Sequence, residues 1–169
     1  MTDAAYHGKE WLNELITLYE DAEKAGRAAE MIEHKLNGGV TNYDRAGGAH
    51  ADAYDKQRNR ESLLIAYSEK CAEFERKQAK YKRKKLIARH VINNLTGPAY
   101  ADILELRYIE RVPWQDIYKA FKGLYSKASI MRYHTAALEE LAGLIKTEEP
   151  RAIEAADKII KAQAKQATA

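Results

Sequence analysis

The sequence predicts an all-α protein, a long antiparallel helical hairpin (a coiled coil) followed by a small helix-turn-helix domain. Three observations lead there. Two long stretches carry apolar residues at alternating spacings of three and four, which places them along one stripe of a helix. Nowhere does the chain alternate apolar and polar residues as a half-buried strand does. The stretch "ILELRYIERVPWQDIYKAFKGLYSKASIMRYHTAALEEL", residues 103 to 141, divides into an apolar helix, a break, a short helix, a glycine-containing turn and a second helix with a polar face.

The first stripe is Trp11, Leu15, Leu18, Ala22, Ala25, Ala29, Ile32 and Leu36. Its alanine centre lets a partner helix approach closely. Asn37-Gly38-Gly39 ends it, because glycine adopts the left-handed cap without penalty. Residues 37–53, with four glycines, form a loop in which Tyr43 has no assigned role. The second stripe is Leu64, Tyr67, Cys71, Phe74, Gln78, Tyr81, Lys85, Ala88, Ile92 and Leu95, stopped by Thr96-Gly97-Pro98. Residues 1–96 therefore make the hairpin.

The second domain spans 97–146. A helix from about Pro98 to Glu110 presents Ile103, Leu104, Leu106, Tyr108 and Ile109, and Val112-Pro113 breaks it. The next helix, about 113 to 121, buries Trp114, Ile117 and Phe121. Lys122 to Tyr125 turn the chain, and Ser126 caps the following helix, 127 to about 145. That helix buries Ile130, Tyr133 or His134, Ala137, Leu138 and Leu141. The tail, 147–169, is rich in Ala and Lys and reads as a loose helix that frays towards its end.

Composition narrows the function. The formal net charge is only +3, so the placement of charge says more than its sum. A single cysteine, Cys71, allows no intrachain disulfide, and on the apolar stripe it reads as core rather than nucleophile. No apolar run approaches the ~20 residues a bilayer requires, and the N-terminus has no apolar segment of a signal peptide. A cytoplasmic protein without membrane contact is expected. The five histidines show no metal-ligand spacing, no glycine-rich phosphate loop is present, and the acid pair Glu139-Glu140 lies on a solvated helix end without a credible partner. No metal, cofactor or catalytic residue is expected, and the chain does not read as an enzyme.

The chemistry that remains is nucleic-acid binding. In a helix-turn-helix the first helix sets the angle of the second, whose early residues enter the major groove. Here Lys127, Ser129 and Arg132 take that position, with Lys122 and Ser126 placed for phosphates and His134 for packing at the turn or a phosphate contact. The run "RKQAKYKRKKLIAR", residues 76 to 89, holds eight Lys or Arg and no acid. Its centre, Lys82, Arg83, Lys84 and Lys85, is a further set of candidate phosphate contacts.

The segment resembles region four of bacterial sigma factors. Leu106-Arg107-Tyr108 matches the run that ends one helix of that family, Trp114 to Phe121 its short helix, and Ala137-Leu138 the pair that ends its recognition helix. "RYHTAAL", residues 132 to 138, is similar to small phage and prophage proteins related to the ArpU- and RinA-type late transcription regulators. The close resemblance covers about 45 residues; the order of hairpin and domain extends it loosely along the chain. The turn is about two residues longer than the usual one, Tyr118 stands where a small residue is usual, and no polymerase-binding region two is recognisable. The resemblance implies a sequence-specific, double-stranded-DNA-binding regulator of phage or prophage genes in the cytoplasm of a bacterial host. The hairpin would serve homo-oligomerisation or contact with RNA polymerase. Two rivals fit the same elements. A small terminase subunit would also join a helix-turn-helix to hairpins, and a helical adaptor would bind protein and no DNA.

Overall fold

A computed structural model describes residues 2–38 and 53–167; the predicted loop, for residues 39–52, lies outside the described residues. The described residues are helical, with no strand among them. Helix α1 is Asp3–Gly38, α2 Ala53–Ile92, α3 Tyr100–Leu104, α4 Trp114–Ala120 and α5 Lys127–Ala167, with a π turn at Glu105–Ile109 directly after α3. The two long helices pack against each other. The chain forms two compact units, one from residues 18–80 and one from 1–17 with 81–169. The boundary expected at 96/97 coincides with neither limit.

The 18–80 unit is a two-helix layer. Ala22, Ala25 and Ala29 are buried, as an alanine-centred stripe requires. A Cβ on Gly26 would sit 3.2 Å from Phe74 Cε2, so the two helices meet closely there. Tyr67, Cys71 and Phe74 are half-buried. Leu64 departs from its expected place: it is 50% exposed, while Leu63 is half-buried. The inward stripe therefore runs through Leu63 rather than Leu64 before Tyr67. On the outer face Glu73 binds Lys70 at 2.7 Å and Lys77 at 2.9 Å, and hydrogen bonds from both ammonium groups draw its carboxyl down to about 2.

The other unit is centred on α5. Ala5, Leu12 and Leu15 of α1, Ile87, Ala88, Val91 and Ile92 of α2, Leu104, Tyr108 and Ile109, and Ala137, Leu138 and Leu141 of α5 form one core. Gly8 is the point of closest approach, since a Cβ there would lie 2.3 Å from the Leu138 carbonyl oxygen. A smaller core joins one isoleucine from each of three helices, Ile103, Ile117 and Ile130.

Two expectations are corrected here. The helix expected from 98 to 110 is α for only five residues and then widens. The Glu110 N–H donates to the Glu105 carbonyl at 2.9 Å, the five-residue step of a π turn. The extra residue lets both Tyr108 and Ile109 face inward, and the chain leaves through Arg111 at φ 57°. The tail is also not loose: α5 runs unbroken through Pro150 to Ala167. Proline removes one backbone bond and crowds the preceding turn, but packing beyond it compensates. Ala152 and Ala156 are buried, and Asp157 takes two hydrogen bonds from Arg83, at 2.7 and 3.1 Å.

Candidate nucleic-acid interface

The site is built on the three-isoleucine core. Pro113 at the cap and Trp114 after it start α4, because proline's missing N–H is not needed there. Phe121 ends it, and Gly123 at φ +91° reverses the chain in a conformation that L side chains rarely adopt. Ser126 then caps α5 as expected: its Oγ accepts the Ser129 N–H at 3.1 Å. Residues 121–126 thus form a six-residue turn, which embodies the longer connection seen in the sequence.

Lys122, Ser126, Lys127 and Arg132 are all exposed around this cap, and Ser129 is half-buried beside them. Lys127 Nζ lies 5.5 Å from the centre of the Tyr118 ring, an exposed cation–π contact. Tyr118 therefore acts as a platform for a cation. An open groove of about 680 Å³ runs between α4 and the turn, lined by Lys119, Lys122, Lys127, Tyr118 and Tyr125 among others. Lys119 was missed by sequence reasoning. Its spacing from Asp116, to which it binds at 2.7 Å, made it look like an ordinary helix-surface pair. Among the described residues, no carboxylate forms an ion pair with Lys122, Lys127 or Arg132.

His134 does not belong to this surface. It is 8% exposed, and its Nε2 lies 3.2 Å from the Tyr108 hydroxyl. The ring stacks on Tyr108 at 5.9 Å and meets Trp114 edge-on at 4.9 Å. Burial first, then Lys9 and Arg107 nearby, pushes its pKa down to about 4. A neutral, enclosed imidazole cannot grip a phosphate; His134 is a core residue that anchors α5 to the π turn. Burial also raises the Tyr108 hydroxyl above its usual range. Trp114 is half-buried, with the Arg107 guanidinium 5.3 Å from its ring centre.

The basic run is largely occupied from within. Arg83 pairs with Asp157, whose carboxyl the guanidinium lowers. Lys84 is only 15% exposed, bound to Glu14 at 2.9 Å and Glu149 at 3.6 Å, with its Nζ 4.3 Å above the Trp11 ring. Lys85 lies 3.5 Å from Glu110, and Arg89 bonds Glu105 and Glu110 at 3.0 and 2.6 Å. Of the four central residues, Lys82 is the one left exposed. The expectation that Arg83, Lys84 and Lys85 meet phosphates is corrected accordingly, because each would first have to leave a carboxylate partner. These partners stand far away in the sequence, so composition alone showed a bare basic run.

Among the described residues there is no group of His, Cys, Asp or Glu placed to hold a metal ion, and no helix is long and apolar enough to cross a membrane. No family model, curated protein or solved structure matches the chain.

Proposed function

We propose that the protein is a sequence-specific DNA-binding regulator of transcription, acting on phage or prophage genes in the bacterial cytoplasm. One observation carries this reading: three cations without carboxylate partners, Lys122, Lys127 and Arg132, converge on the exposed, serine-capped start of α5. In the same unit Arg83, Lys84 and Arg89, by contrast, sit on acids. A helix start offers backbone N–H groups and positive potential towards an anion. Arg132 would grip a base edge, and Lys122 and Lys127 would fix the phosphates on either side. The packed 18–80 hairpin is the proposed surface for self-association or for RNA polymerase.

The test is a set of titrations against DNA fragments selected from the source genome and against scrambled DNA. Arg132→Ala should reduce the ratio of specific to non-specific affinity by a factor corresponding to roughly 1 to 3 kcal/mol. Lys122→Ala should weaken binding to both kinds of DNA alike. Absence of binding at low salt would transfer the reading to a protein-binding adaptor, and a ring of eight or more subunits in solution would favour a terminase subunit.

A further inference from the structure

The start of α5 contains a hydrogen-bond chain that bears on how Arg132 is aimed. The Ser126 Oγ accepts the Ser129 N–H at 3.1 Å and lies 2.9 Å from the Ser129 Oγ. Arg132 Nη2 donates to the Ser129 Oγ at 3.4 Å. A guanidinium only donates, so the Ser129 oxygen accepts from Arg132. Between the two hydroxyls either serine can be the donor. Ser129 is half-buried, whereas Ser126 and Arg132 are exposed.

We infer that Ser129 is a positioning residue, one that holds the Arg132 guanidinium against the helix cap so that sequence reading starts from an ordered side chain. This inference rests on the proposed reading of α5 as the recognition helix. It departs from the sequence expectation, in which Ser129 touched DNA itself. An arginine carries several rotatable bonds, and ordering such a side chain on binding costs conformational entropy. The chain from Ser126 through Ser129 meets part of that cost before DNA arrives.

The test uses the full chain and three substitutions, each titrated on selected and scrambled DNA. Ser129→Ala keeps the backbone N–H that Ser126 caps, so the helix start survives. It should lower the specific-to-non-specific ratio roughly three- to tenfold. In an Arg132→Ala background the same substitution should have no further effect, and Ser129→Thr, which retains a hydroxyl, should restore the ratio. Without DNA, NMR signals of the Arg132 guanidinium should show faster side-chain motion in Ser129→Ala. A Ser129→Ala loss that persists in the Arg132→Ala background would mean that Ser129 contacts DNA directly, and it would overturn the inference. So would an unchanged ratio in Ser129→Ala when Arg132→Ala alone lowers it. An unchanged ratio in Arg132→Ala itself would instead refute the recognition-helix reading beneath.

Discussion

Gly8 and Gly143 are both helical glycines of one unit, and their surroundings give opposite expectations. At Gly8 a methyl group would strike the Leu138 carbonyl, while at Gly143 nothing lies within 4 Å. Gly8→Ala should therefore destabilise by about 1 to 3 kcal/mol, the usual cost of forcing atoms into a packed contact. Gly143→Ala should stabilise by about 0.5 to 1 kcal/mol, because alanine loses less backbone freedom. Thermal melts of the two variants check both signs, and a Gly8→Ala protein that melts with the wild type would refute the close approach. His134 makes a pH prediction. Its pKa is lowered in the fold to about 4 from an ordinary value of about 6.5. Between these values the unfolded chain binds a proton that the folded chain excludes, so stability falls as pH drops through this window and is fully present above it. The loss reaches at most about 3 kcal/mol. Urea denaturation at pH 7.5 and 4.5 measures it, and in His134→Gln the difference between the two pH values should shrink.

At the scale of elements, the long helices were legible because a stripe of eight or ten positions averages out local exceptions. The Trp11 to Leu36 stripe is inward throughout, and the Ser126 cap and the short helix after Pro113 followed from local chemistry. Leu64 was misplaced because Leu63, Leu64 and Ile65 are adjacent and apolar, so periodicity could not choose among them at the stripe's end. The π turn was illegible for a related reason: "ILELRYI" fits an α or a widened helix, and only the fit of Tyr108 to His134 selects one. Continuation through Pro150 could not be seen either, since what sustains it comes from α1 and α2. Pro150 is exposed and contributes nothing to that packing surface. Pro150→Ala should restore one backbone hydrogen bond and remove the ring's crowding of the preceding turn. Part of that gain is offset by a more flexible unfolded chain, leaving a net stabilisation of about 1 to 2 kcal/mol. A melting temperature equal to or below that of the wild type would contradict a regular helix at this point.

For the whole molecule, the sequence showed where cations lie but not which of them are already engaged. If Lys122 and Lys127 alone meet phosphates, the logarithm of the binding constant should fall with the logarithm of salt concentration at a slope of roughly −2. Full engagement of the basic run as well would make the slope far steeper. Titrations between low and moderate salt separate the two cases. A steep slope would show that Arg83, Lys84 and Lys85 leave their carboxylates on binding. The candidate site was thus half legible. The turn and the early residues of α5 could be found locally, whereas the neutralisation of the run depends on pairs such as Arg83 with Asp157, remote in sequence.

The unit centred on α5 draws its core from both α1 and the end of the chain, Ala5 and Leu12 packing in one cluster with Ala152 and Ala156. Such wiring has a consequence in time. A ribosome adds roughly 5 to 20 residues per second, so the first turns of α1 wait on the order of ten to thirty seconds for their neighbours to emerge. Meanwhile Leu12 and Leu15 are bare, and holding chaperones can bind them. The capped start of α5 rests instead on the three-isoleucine core, all of which precedes Ala152 in the chain. A nascent chain halted before Ala152 therefore carries the whole of that smaller core but lacks part of the larger one, and α1 is left without its full set of neighbours.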